Sequence, residues 1–175
     1  YCPDYGIPQS RRRFVLIGSL LGPIELIAPT HHREDVSVRN FIDHLPHIEA
    51  GGVDPNDALH RSASLSEINL RRIRASRPGG TWRDWPEELR CPCHRKSSGK
   101  TYSSVYGRMS WDRIGPTITT QFYSFGTGRY GHPEQDRALS LREGAMLQTF
   151  PQDYDFIDPN REFVFRDIAR HIGNG

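Results

Sequence analysis

Gly6-Ile7-Pro8-Gln9-Ser10-Arg11-Arg12-Arg13-Phe14-Val15-Leu16-Ile17-Gly18-Ser19 joins a turn, three consecutive cations and a short apolar run. Gly6 and Pro8 favour a fixed, irregular backbone, and Phe14 to Ile17 has the length and β-rich composition of a buried strand closed by Gly18. The arginines therefore stand at the entrance to an expected strand. A strand would anchor them, so that planar guanidinium groups at Arg11 and Arg13 present paired donors to a phosphate or a base edge. On an extended chain those two point one way and Arg12 the other. A solvated cluster on a sheet edge is the plainer reading of the same charges.

Around this stretch the 175 residues suffice for one domain, but 35% hydrophobic content, a mean hydropathy of -0.66, 16 Gly and 13 Pro imply a modest core with long surface segments. A net charge of +2 gives no global basic field. The cations are 21 Arg against two Lys, Lys96 and Lys100. Arginine suits bidentate contact and stacking, and a GC-rich genome would produce the same bias. Cys2, Cys91 and Cys93 cannot close a disulfide framework, and no apolar segment is long enough to span a membrane, so a reducing cytoplasm is the expected setting. The chain begins at Tyr1 without an initiator Met or a signal peptide, which reads as a piece of something larger.

Further along, Ile24 to Ile27 reads as a second short strand, and Ser37 to Leu45 as a short helix capped by Ser37 and stopped by Pro46. Gly51 to Asn56 reads as a loop. Ser64 to Arg74 is an expected helix with a Ser64/Glu67 capping box, its Arg71, Arg72 and Arg74 facing away from Leu65, Ile68 and Leu70. Pro78 to Pro86 returns to loop, with Trp82 and Trp85 nailing it to the core, and Ser97 to Lys100 reads as a flexible linker. Ser104 to Trp111 and Thr117 to Tyr123 read as strands joined by a turn from Asp112 to Pro116. Ser140-Leu141-Arg142-Glu143 is a capping box opening a helix that ends before Pro151, and Arg161 to Ile172 is the expected last helix.

The spelling Gly-Ile-Pro-Gln-x-Arg-x-Arg before an apolar strand resembles the Gln-x-Arg-x-Arg motif of the DNA cytosine-5 methyltransferases. Arg137 to Glu143, followed by Gln148-Thr149-Phe150-Pro151-Gln152-Asp153-Tyr154, is similar to that family's Arg-Glu…Gln-x-Phe-Pro-Asp-x-Tyr return into the catalytic domain. Ile172-Gly173-Asn174 is similar to the start of its final Gly-Asn motif. Between them, Tyr106-Gly107-Arg108-Met109 and Pro116-Thr117-Ile118-Thr119 resemble the recognition region of bacterial members, whose Thr-containing dipeptide lies near DNA. Order and spacing agree across nearly the whole chain.

The resemblance implies an α+β chain. Residues 1–23 would carry a late strand of an α/β, Rossmann-like catalytic domain, 24–136 a small irregular target-recognition domain, and 137–175 the return to the catalytic domain. It implies duplex DNA as partner, S-adenosylmethionine as cofactor of the complete enzyme, and a bacterial, DNA-associated setting. Arg13 is expected at the ring of a flipped cytosine, Arg11 at nearby backbone or pocket structure, and Gln9 in holding the turn. Arg108, Thr117 and Thr119 are expected near DNA, and Asn174 near the cofactor. The catalytic half, with its Pro-Cys nucleophile loop and Glu-Asn-Val segment, is expected before Tyr1 and is a further partner. This chain alone is then expected to be inactive. A stand-alone or relic DNA-binding module is the alternative.

Two sequences imitate catalytic motifs. Pro92-Cys93 copies the nucleophile dipeptide, but His94 follows where the family has Gln or similar, and the order is wrong. Gly126-Thr127-Gly128-Arg129-Tyr130-Gly131 spells Gly-x-Gly-x-x-Gly, yet it runs into His132-Pro133 instead of a helix, so it reads as a turn. That turn either brings Gly126, Gly128 and Arg129 close to DNA or simply connects. Cys91, Cys93 and His94, with His60 or another histidine as a fourth, are zinc-ligand types. One crowded cluster differs from the usual two spaced pairs, so free cysteines and no metal are expected.

Overall fold

Short amphipathic pieces separated by Gly and Pro cannot build long elements, and the computed structural model, which describes residues 1–158, 160 and 162–175 without the side chain of residue 100, has none. Helix α1 (Arg39–Ile42) is a single turn that buries Val38 and Ile42. Val38 is its N-cap, and Ser37 instead turns its hydroxyl to Asn40 Oδ1 at 3.1 Å. Strands β1 (Val53–Asp54) and β2 (Asp57–Arg61) form an antiparallel hairpin, the only sheet among the described residues. The expected loop at Gly51 to Asn56 contributes half of it, because the Asp54 carboxylate accepts the Asn56 N–H at 2.8 Å and folds the turn.

Helix α2 (Glu67–Arg74) starts two residues later than the Ser64 box requires, with Ser66 at its N-cap and no side-chain cap. Ile73 is its buried residue. Arg72 is not a solvent-facing decoration: it donates to Leu89 O at 2.9 Å and lies 5.4 Å from the ring centroids of both Trp85 and Tyr106. Trp82 and Trp85 are buried with Ile73, Leu89, Phe125 and Ala138 in a small second core, as expected of them. A 3-10 turn at Trp82–Asp84 and the one-turn helix α3 (Pro92–Arg95) shape this region. Ser97–Thr101 forms another 3-10 turn instead of a linker, seated so closely that a Cβ at Gly99 would overlap the Cys93 carbonyl.

Helix α4 (Leu141–Leu147) has the expected capping box: Ser140 Oγ accepts Glu143 N at 3.1 Å and Glu143 Oε2 accepts Ser140 N at 2.7 Å. All seven of its residues are buried, not one face alone. Around it the main core gathers α1, β2, residues 109–130 and helix α5 (Phe165–Gly173), which contributes Ile168, Ala169 and Ile172. The expected start of this last helix at Arg161 lies outside the described residues. No helix among the described residues is long and apolar enough to cross a membrane. Helices plus one small hairpin agree with the α+β class.

Four expected strands are absent. Phe14 to Ile17 and Ile24 to Ile27 are irregular and exposed, with Phe14 90% accessible. A strand needs a neighbour to take its hydrogen bonds, and these find none among the described residues. At Ser104 to Trp111 the chain leaves extended geometry at Tyr106, whose φ is 53°, and residues 107–109 bond at isolated points to Gly128, Gly131 and Gly80. Thr117 to Tyr123 is held by side chains instead of a ladder.

Candidate nucleic-acid interface

Three separated motifs meet at Gln9. Buried at 1% exposure, its Nε2 donates to Leu147 O at 2.9 Å and to Gln148 Oε1 at 2.6 Å, while its Oε1 accepts the Ile118 N–H at 3.1 Å. Gln148 Nε2 in turn donates to Ile172 O at 2.9 Å. Backbone bonds Ser10 N to Gly115 O, 2.8 Å, and Gly115 N to Pro8 O, 3.0 Å, fasten the same segment. Gln9 ties residues 8–10 to the end of α4, to residues 115–118 and, through Gln148, to the end of α5.

The cations beyond Gln9 fan outward. Arg11 is half-buried, and its Nε is enclosed without a hydrogen-bond partner among the described residues. Arg12 is exposed and lies over the Tyr1 ring, 5.6 Å from its centroid. Arg13 is exposed, with one bond to the neighbouring Arg12 carbonyl at 3.2 Å. With no strand here, the alternation that would pair Arg11 with Arg13 is not realised in this chain.

Arg108 is where the structure departs most from expectation. It is 7% exposed and donates to the carbonyls of Ile73 (3.0 Å), Ser76 (3.3 Å), His132 (2.9 Å), Gln135 (3.0 Å) and Glu134. Burial lowers its pKa, opposed by Asp136 at 3.3 Å. Its donors are consumed in clamping loops together, so it cannot reach a base. Thr117 and the exposed Thr119 are tied to Tyr130, whose hydroxyl donates to Thr117 O at 3.0 Å and pairs with Thr119 Oγ1 at 3.1 Å. Gly126 and Gly128 pack against the Tyr106 and Tyr130 rings, where a Cβ would crowd them. Arg129, beside them, is exposed.

A cleft of about 500 Å³ opens between Ser10 of the arginine motif and residues 108–116, rimmed by Arg33, Arg113 and Arg129. Arg33 is committed to Asp4 at 3.0 Å. The exposed side chains of Arg113 and Arg129 have no hydrogen-bond or ion-pair partner among the described residues. Arg113 escaped the sequence reading because it sits in an expected turn, and only the fold sets it beside Ser10. The lining sets Arg33, Arg108, Arg113 and Arg129 against the carboxylates of Glu34 and Asp112, and this net excess of guanidinium suits a polyanion better than the positively charged donor S-adenosylmethionine. Asn174, at the C-cap of α5, is exposed and does not line this cleft.

Arg137 and Glu143 are a buried ion pair behind this surface. Two parallel bonds of 2.7 Å join them, and His132 Nε2 approaches Glu143 Oε1 at 3.6 Å. Burial raises the Glu143 pKa, but the Arg137 charge and hydrogen bonds prevail and hold it at about 2. Burial presses His132 down to about 4 against the pull of Glu143. Both folded values lie below the unfolded ones, so both contributions are complete above about pH 6.5 and shrink on acidification. Stability is therefore expected to fall as His132 gains its proton in the unfolded chain between about pH 6.5 and 4, and more steeply below about 4.5 as Glu143 joins. Urea melts from pH 7.5 to 3.5 measure this. The slope between pH 6.5 and 4.5 should shrink in His132→Asn if that variant keeps the fold, leaving the share of His94, whose pKa burial also lowers.

His60 is no metal ligand candidate, since its Nε2 donates to Pro46 O at 2.8 Å and its Nδ1 pairs with Ser140 Oγ at 2.9 Å. The Cys91 and Cys93 thiols and a His94 ring nitrogen, by contrast, lie within 4.8 Å of one another.

A profile of the C-5 cytosine-specific DNA methylases matches residues 1–175. The chain is 54% identical to the Type II methylase M.HgiDII of Herpetosiphon aurantiacus, over 99% of this chain and 49% of that protein. Identity to the Type II methyltransferase M1.BsuMI of Bacillus subtilis (strain 168) is 31%, over 97% of this chain and 38% of the relative. With the Type II methyltransferase M.BbvI of Brevibacillus brevis it is 33%, over 97% and 42%. The chain spans about half or less of the length of these relatives. It belongs to the C-5 cytosine-specific DNA methylase family, which takes its methyl group from S-adenosylmethionine.

Proposed function

We propose that this chain is the DNA-gripping and target-choosing part of a DNA cytosine-5 methyltransferase, and that it also supplies the arginines beside the flipped cytosine. The observation that carries the reading is the meeting of the Gln-x-Arg-x-Arg, Gln-x-Phe-Pro and Gly-Asn motifs through Gln9, Gln148 and Ile172 O. Residues far apart in sequence are thereby held as one rim from which Arg11 and Arg13 project.

In the reaction the target base leaves the stack, a cysteine thiolate adds to carbon 6, and carbon 5 becomes the nucleophile. Bound S-adenosylmethionine supplies the electrophilic methyl group. Arg13 donates to the extruded ring, Arg11 offers its unpaired Nε to nearby backbone, and Arg113 and Arg129 hold phosphates along the cleft. Residues 24–136 serve as the recognition part. The apolar run Phe14, Val15, Leu16, Ile17, Leu26 and Ile27 pairs with the Rossmann-like catalytic half, which brings the nucleophile and most of the cofactor site, with Asn174 at its border. Methyl transfer therefore requires that half.

Fluorescence anisotropy with a labelled duplex tests the DNA contact. Affinity should fall with salt by about 0.9 log units per log unit of salt for each neutralised phosphate, and Arg113→Ala and Arg129→Ala should each reduce the slope by about 1. A flat salt response from the folded chain would refute the reading.

A further inference from the structure

The segment from Cys91 to Thr101 takes no part in the proposed DNA grip, yet it is folded with care around three soft ligands. Cys91 and Cys93 flank Pro92 in α3, and His94 follows directly, so one helical turn and its entry present two thiols and an imidazole together. Their ligand atoms lie within 4.8 Å of one another. Tetrahedral zinc, with bonds of about 2.3 Å to sulfur and about 2.0 Å to nitrogen, sets its ligands about 3.5–3.8 Å apart, a spacing reached from here by side-chain rotation.

The second observation is independent of that spacing. His94 is 5% exposed, and its Nδ1 is buried with no hydrogen-bond partner among the described residues. Its ring is fixed by stacking on Trp82, with centroids 4.2 Å apart and planes 16° from parallel, and by edge contact with Tyr106 at 5.8 Å. An imidazole nitrogen left bare inside a protein costs on the order of a lost hydrogen bond, and a metal ion satisfies it outright. We propose that Cys91 Sγ, Cys93 Sγ and His94 Nδ1 bind a zinc ion, with water or a ligand from outside the chain in the fourth position.

Two thiolates and one imidazole select zinc over magnesium or calcium, which take oxygen ligands. The role is structural. The ion would lock α3 and the 3-10 turn behind it against Trp82, in a region with little regular structure of its own.

Cobalt(II) added to the reduced, metal-free chain tests the site directly. The expected result is one equivalent bound, with the visible bands of tetrahedral cobalt and near-ultraviolet thiolate charge transfer, both displaced by one equivalent of zinc. Cys93→Ser, at an exposed position, should keep the fold, lose part of the charge-transfer band and weaken binding at least ~10-fold. Cys2→Ser should change nothing. Absence of the tetrahedral bands from a chain whose circular dichroism shows it folded would overturn the proposal, as would binding that survives in the Cys91→Ser/Cys93→Ser double variant. The readout is independent of DNA binding and methyl transfer, so it stands or falls apart from the proposed function.

Discussion

Arg137→Ala is expected to lose about 3–5 kcal/mol of folding stability, enough to leave much of the chain unfolded at room temperature. Arg137 is fully buried, and besides its paired bonds to Glu143 it donates to Ile48 O at 3.1 Å, Gln135 Oε1 at 2.8 Å and Ala138 O at 3.1 Å. Truncation leaves the Glu143 carboxylate buried without its counter-charge, and also strands those acceptors. The signature is in the pH dependence. The native chain loses stability on acidification, whereas an unpaired Glu143 is relieved by protonation, so the deficit of Arg137→Ala against the native chain should narrow from pH 7 to pH 5. Urea melts followed by circular dichroism at both values measure it. A deficit below about 0.5 kcal/mol, or one that widens in acid, would show that the pair does not organise this core.

Arg13→Ala should cut methyl transfer by about 30- to 1,000-fold, equivalent to about 2–4 kcal/mol in the transition state, while changing DNA affinity only a few-fold. The test needs a complete enzyme, for example residues 1–175 joined to the remaining half of the Herpetosiphon aurantiacus relative, with tritium transfer from labelled cofactor to duplex DNA as the readout. Among the described residues Arg13 bonds only its neighbour's carbonyl, so its removal disturbs no packing and a rate loss reports on chemistry. Arg12, resting on Tyr1, should tolerate alanine. Should Arg12→Ala prove the more damaging change, the roles of the two side chains are exchanged. Activity of the unjoined chain that disappears in Cys93→Ala would remove the division of labour altogether.

What could be read from the sequence obeyed rules that act over a few residues. The Ser140/Glu143 capping box closes within four positions, Trp82 and Trp85 had to bury their rings somewhere in a loop-rich chain, and the ordered motifs carried the family before any coordinates. The failures share a cause as well. Phe14 to Ile17 has strand composition, but a strand exists only against a neighbour, and none among the described residues reaches it. Arg108 looked like a surface cation until five carbonyls, from residues 24 to 35 positions away in sequence, closed around it. Arg113 became a cleft residue, and His94 a bare nitrogen beside two thiols, only once the chain had folded. Gln9 shows the division most simply: its identity and motif were plain, but its partner Leu147 lies 138 residues away. Periodicity and capping sense one turn or one strand, so local propensity determined where helices could begin, whereas the burial of polar groups was decided by distant carbonyls and charges that only tertiary packing could bring within bonding distance.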